Sequence, residues 1–212
     1  VDDKDVVCEV LRGGVLINEK GVNIVDTNIP INPFTEKDES DALFALQENF
    51  DAIALSFVKR KEDVVYLEDF IKKQTTKDIP IIAKIETRQA LAEISSILDV
   101  AAMIMVARGD LGIEIPVQKI PITQKELVYV SNSRGVPAIV ATEMLKSMTK
   151  NPFPTRAEVT DCINALVDGA SYLMLSDETT VGDYPVEAVK IVSLVIKEFV
   201  DNQKKYIPFE KN

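Results

Sequence analysis

Residues 103–110, MIMVARGD, decide the fold: an unbroken apolar run gives way at once to Arg-Gly-Asp. A run this short and apolar, bounded by glycine and charge, reads as a strand of a parallel sheet covered on both faces. Four further runs repeat the pattern. AIALSF (52–57) closes on Ser56, IIAKIE (81–86) on Lys84 and Glu86, AIVAT (138–142) on Thr142, and YLMLSDE (172–178) on Ser176 and Glu178, while MIMVARGD itself closes on Asp110. Each ends at its C-terminal edge in a side chain that chemistry can use. Repeated βα units that place reactive groups at strand C-termini are how a (β/α)8 barrel builds an active site.

The segments between the runs support helices. Thr35 followed by Glu36, Lys37 and Asp38 reads as an N-cap with acids in the first turn, opening a helix through about Gln47. Strand 52–57 leads to a helix near 62–73 with Val64, Leu67 and Ile71 on one face, and strand 80–86 to a helix near 88–98. Strand 102–107 runs into GDLGIEIP and a helix near 122–133, and strand 137–142 into NPFPTRAE and a helix near 156–167. Strand 171–176 precedes a last helix, roughly 185–201, started by Pro185. That makes five βα units after an opening helix, too few to close an eight-stranded barrel. Either three strands lie upstream of residue 1 or the sheet is open. Residues 1–28 differ: VVCEVLRGGVLINEKGVNIV has short β-branched runs broken by Gly13-Gly14 and Lys20-Gly21, as in small antiparallel hairpins, and Pro30 and Pro33 mark a linker.

Composition removes several classes. The 212 residues are 46% hydrophobic, enough for one globular domain with a sizeable core. A net charge of −10 argues against nucleic acid as the main partner. It suits a site for a divalent metal, although acidic side chains that keep the surface soluble account for most of it. The chain has no histidine, which excludes a His-based triad and a His-ligated zinc. Proton transfer must fall to lysine, carboxylates, hydroxyls or water. Cys8 and Cys162 are far apart and lack metal-ligand spacing, so a reduced, intracellular protein is the expectation. No apolar run approaches the roughly 20 residues of a membrane span, and the N-terminus lacks a signal-peptide pattern.

Lys84 and Glu86 lie two apart on a strand and so share a face. A lysine in an apolar strand end is either ion-paired there or used. Glu86 and Asp110 come from adjacent strand ends and could share one hard cation. Asp110 also reads as a helix cap, and backbone N–H groups at Gly109 and Asp110 would then meet an anionic carboxylate. Thr142 is equally a β-branched residue suited to its strand. Thr155 reads as a helix cap, with Arg156 pairing a nearby acid.

IIAKIET (81–87), MIMVARGDLGIEIP (103–116), VATEMLKSM (140–148), NPFPTRAEVTD (151–161) and LMLSDETTVGDYPVEAV (173–189) resemble, in order, the signature segments of the pyruvate kinase family. The resemblance covers nearly the whole chain. It implies an α/β fold, a (β/α)8 TIM barrel that is incomplete here, with residues 1–28 resembling the end of an inserted β domain and 29–212 the catalytic barrel portion. The chain thus resembles an internal fragment, with three barrel strands and a C-terminal effector domain outside it.

The resemblance also assigns roles. Lys84 is similar to the lysine that stabilises charge on the phosphoryl group in transit and on the enolate. Glu86 and Asp110 match the ligands of Mg²⁺ (or Mn²⁺). Lys84, Gly109, Asp110 and Thr142 match substrate contacts, and Thr142, Ser176 and Glu178 match the polar cluster around a proton-delivering water. Ser56 is similar to a neighbour of a K⁺ site, and Lys20 to a nucleotide-contacting lysine. The implied reaction moves a phosphoryl group from phosphoenolpyruvate to ADP, giving pyruvate and ATP in glycolysis. The implied setting is a cytoplasmic tetramer with neither nucleic acid nor membrane as partner. In the family an arginine and most potassium ligands come from upstream strands, so the isolated 212 residues are expected to have negligible activity. A Mg²⁺-dependent pyruvate-type aldolase or lyase and a catalytically silent diverged fragment are the alternatives.

Four positions depart from the family pattern: Lys59, Thr87, Glu143 and Asp177. Glu143 and Asp177 add negative charge near the expected mouth. Asp177 stands at a usual glycine, which suggests an altered backbone there.

Overall fold

Thr35 opens the ordered body of the chain. In the computed structural model, which describes residues 5–11, 13–15, 17–18, 22 and 34–206, its hydroxyl accepts the Asp38 N–H while Asp38 answers the Thr35 N–H at 2.7 Å. This capping box starts α1 (Glu36–Gln47) where expected. The strands that follow are β1 (Ile53–Leu55), β2 (Ile81–Ile85), β3 (Met103–Ala107), β4 (Ala138–Ala141) and β5 (Tyr172–Met174). Between and after them lie α2 (Lys61–Gln74), α3 (Arg88–Ala92), α4 (Ile94–Leu98), α5 (Arg108–Glu114), α6 (Ile120–Ser133), α7 (Arg156–Val167), α8 (Asp177–Thr180) and α9 (Pro185–Tyr206).

All four strand pairings are parallel, and the sheet order is β1-β2-β3-β4-β5. Crossovers that always step to the next strand in the same direction put every covering helix on one face. A doubly wound sheet would reverse its order midway. The fold is therefore α/β and singly wound, part of a barrel, as the sequence predicts.

The two faces carry different cores. Ala83, Ile85, Ile104, Val106, Ala138 and Val140 point to the helices and are fully buried, packed with Val64, Leu67 and Ile71 of α2. The alternate residues form a smaller cluster on the other face: Met105, Ile139 and Ala141, with Ile82, Met103 and Met174 partly buried beside them. Large apolar side chains on that face are what fill a barrel interior.

One predicted helix is two. The stretch 88–98 breaks at Glu93 (φ −99°, ψ 10°) into α3 and α4. The Glu93 carbonyl still accepts the Ile97 N–H at 3.1 Å and in addition the Ser96 hydroxyl at 2.9 Å, so α4 starts directly on it. Two other helix ends follow a simpler rule. Gly135 (φ 71°) and Gly169 (φ 102°) take left-handed backbone just past α6 and α7. The N–H groups of Val136 and Ala170 then close onto Ser131 and Ala165 carbonyls at 3.0 Å each.

Residues described before Phe34 are exposed and lie in no helix or strand. Lys20 and the 28/29 boundary fall outside the described residues. Among the described residues no helix is long and apolar enough to cross a membrane.

Candidate active site

The C-terminal edge of the sheet collects the polar strand ends in three groups. In the first, register Leu55↔Ala83 sets Ser56 beside Lys84. Lys84 Nζ donates to Ser56 Oγ at 2.9 Å and ion-pairs with Glu86 Oε1 at 2.6 Å. Glu86 is only 1% exposed, and its other oxygen accepts the Phe57 N–H at 2.7 Å. A carboxylate this buried requires a cation and a hydrogen bond, and it has both. Of the two readings of Lys84, the ion-paired one is what the structure shows, with Glu86 as the acid. Phe57 has a left-handed backbone (φ 54°), which turns its N–H onto Glu86.

The second group joins β3 to β4. β3 passes straight into α5, so Gly109 and Asp110 lie in that helix's first turn. The Gly109 N–H, expected to face a ligand carboxylate, donates here to Thr142 Oγ1 at 2.8 Å. The Asp110 carboxylate is half-buried and has no hydrogen bond or ion pair among the described residues. Thr142 has φ 68° and Glu143 φ 54°, two consecutive left-handed residues at the end of β4. Strain of this kind, of order 1–3 kcal/mol per residue, gathers at functional sites.

Arg108 binds this corner together. It is 9% exposed, with Nε and Nη2 on the Thr142 carbonyl at 3.2 and 2.6 Å and Nη1 on Asp161 of α7 at 2.6 Å. Reading the sequence for reactive strand ends passes over Arg108. Its signal was a charge directly after an apolar strand, which burial permits only with an acid partner.

The third group is structural in its bonding. Glu178 is 1% exposed, and its two oxygens accept the Leu145 and Ser176 N–H groups at 2.9 Å each. It ties the loop after β4 to the end of β5, with Ser176 held by its backbone.

Three expectations need correction. Asp177 does not take positive φ; it opens α8 and ion-pairs with Lys146, so its charge is offset locally. That contact, chiefly a hydrogen bond, raises the Lys146 pKa. The left-handed residue among the departures is Glu143 instead. Arg156 is exposed at the head of α7 and has no ion pair among the described residues; the paired arginine of this region is Arg108. Thr155 does cap α7, in a capping box with Glu158. Glu158 also accepts the Ser147 N–H and hydroxyl at 2.6 Å each. Burial works against its ionised form, but the Ser147 and Thr155 bonds outweigh it and lower the pKa.

Among the described residues no cluster of three or more acidic or cysteine side chains could hold a metal alone. Glu86 and Asp110 at neighbouring strand ends offer oxygen donors only. That suits a hard divalent cation completing its shell with water and substrate oxygens.

Fold and site define part of a parallel α/β barrel of the kind whose active site sits at the strand C-termini. The family model described as "Pyruvate kinase, barrel domain" matches residues 1–189. The chain belongs to the pyruvate kinase family. It is 46% identical over 189 residues to a pyruvate kinase of Bacillus licheniformis, covering 89% of this chain and 32% of that protein. To pyruvate kinases of Thermotoga maritima and Methanocaldococcus jannaschii it is 45% and 46% identical, covering 92% and 93% of this chain and 42% and 44% of theirs. The chain thus spans between about a third and under half of the length of these relatives.

Proposed function

We propose that the protein to which these residues belong transfers a phosphoryl group from phosphoenolpyruvate to ADP, yielding pyruvate and ATP. The observation that carries this reading is the buried Glu86 paired with Lys84 at 2.6 Å on the sheet's C-terminal edge, one strand from the uncommitted Asp110 carboxylate. Phosphoryl transfer depends on positioning and on neutralising charge over the transferred group. Lys84 supplies a positive charge held in place by Ser56 and Glu86. Glu86 and Asp110 would hold Mg²⁺ or Mn²⁺, which when bound supplies Lewis-acid neutralisation of substrate oxygens. Gly109, Asp110 and Thr142 orient the substrate's carboxylate end. Thr142 and Ser176 present hydroxyls where a water can deliver the proton that completes pyruvate, and Glu178 holds the two loops that carry them. Ser56 stands beside a K⁺ site, and Lys20 contacts the nucleotide.

The same reading gives a glycolytic, cytoplasmic homotetramer whose residues 1–28 end an inserted β domain and whose residues 29–212 belong to the barrel. The relatives are named as pyruvate kinases, which favours this reading over the aldolase or lyase. Pyruvate release by the full-length protein, assayed with and without ADP, tests it. ADP-dependent release is expected, and release at an equal rate without ADP contradicts it.

A further inference from the structure

We infer that Arg108 is a positioning residue for Thr142, gripping its backbone so that the Thr142 hydroxyl is aimed at the substrate. The inference rests on the proposed role of Thr142 on the substrate side. The β3–α5 turn holds Thr142 at two points with consecutive residues. Arg108 takes the carbonyl with two nitrogens, at 3.2 and 2.6 Å, and Gly109 N–H takes the hydroxyl oxygen at 2.8 Å. Thr142 needs such a grip. Its φ of 68° is an outlier for a β-branched side chain and persists only where the surroundings impose it.

The guanidinium is itself fixed. Asp161 of α7 pairs with Nη1 at 2.6 Å, Gln124 of α6 approaches the same nitrogen at 3.4 Å, and Met144 Sδ lies 3.0 Å from Nη2. Because Thr142 Oγ1 accepts from Gly109, the oxygen is held in place with one lone pair occupied, and its proton makes no bond within the described residues. That proton is available to an incoming oxygen. A lysine cannot reproduce the grip, since one ammonium lacks the planar fork that spans a carbonyl and a carboxylate together.

The test uses the full-length protein with Arg108→Lys, Thr142→Ala, the double variant and Asp161→Asn. Readouts are kcat, KM for phosphoenolpyruvate, and hydrogen exchange of the Gly109 amide. Arg108→Lys is expected to lower kcat about tenfold or more while KM moves less than about threefold. The double variant should fall no lower than Thr142→Ala, because both changes remove one function. The Gly109 amide should exchange at least about tenfold faster in Arg108→Lys as its acceptor loosens. Asp161→Asn should move kcat and exchange the same way by less, and it decides the matter should Arg108→Lys not fold. Losses that multiply in the double variant, or unchanged Gly109 exchange in a folded variant, overturn the inference. Full turnover by Thr142→Ala instead overturns the hydroxyl's role in the parent reading, while the exchange rate still judges the Arg108 grip separately.

Discussion

Removing the Glu178 carboxylate should loosen two loops at once, and the size of the effect can be worked from its bonds. Each oxygen holds one backbone N–H at 2.9 Å, from Leu145 and from Ser176, in a site 1% exposed. Glu178→Ala strips both donors of their acceptor, at about 1–3 kcal/mol each. It also leaves a cavity and relieves the desolvation of a buried charge, two terms of opposite sign. A net loss of about 3 kcal/mol follows, which for a chain of this size lowers Tm by roughly 6–12 °C. Glu178→Gln keeps one acceptor and turns an amide NH₂ toward the other N–H, so about half that loss is expected. Differential scanning calorimetry of this chain and both variants measures it. A Glu178→Ala chain melting within about 1 °C of the parent would refute the bracing role.

Other predictions are simpler. Burial, helped by the neighbouring Asp161 charge, pushes the Cys162 thiol up to about 11. At pH 8 a thiol reagent should therefore modify the exposed Cys8 and leave Cys162 intact until the chain unfolds, as mass spectrometry would show. The lowered pKa of Glu158 stabilises the fold at pH above its ordinary value of 4.5, and that contribution is lost as pH falls through the lower folded value. Glu158→Gln should accordingly flatten the acid limb of the stability curve, and an unchanged acid limb would contradict this. Asp177→Gly should cost less than about 1 kcal/mol, because it removes an exposed ion pair and no strained backbone; urea midpoints would show a larger change if the backbone were strained.

The architecture was legible because its signals are local. Apolar runs of four to six residues repeat between helical stretches, and Thr35 and Thr155 with their acids three residues on mark helix starts that the structure reproduces. A spacing of two on one strand put Lys84 and Glu86 on the same face, and the structure makes Glu86 the acid that pairs with Lys84. What escaped depends on contacts distant in sequence. Arg108 meets Asp161 across 53 positions, so no local pattern announces the pair. At this edge left-handed backbone falls on Phe57, Thr142 and Glu143, which carry side chains that normally avoid it, whereas the glycine-replacing Asp177 sits in an ordinary helical turn. The break at Glu93 lies in its own backbone (φ −99°, ψ 10°), which no residue pattern in this stretch announces.

The most direct test replaces the ammonium at the sheet's edge with an apolar side chain of similar length. Lys84→Met also strips buried Glu86 of its cation and so destabilises the fold. Assayed in the full-length protein at a temperature where circular dichroism shows the variant folded, ADP-dependent turnover should fall by about a thousandfold or more, the scale of removing a charge that acts on the transferring group. Turnover near that of the parent would contradict the assignment of this edge as a phosphoryl-transfer site.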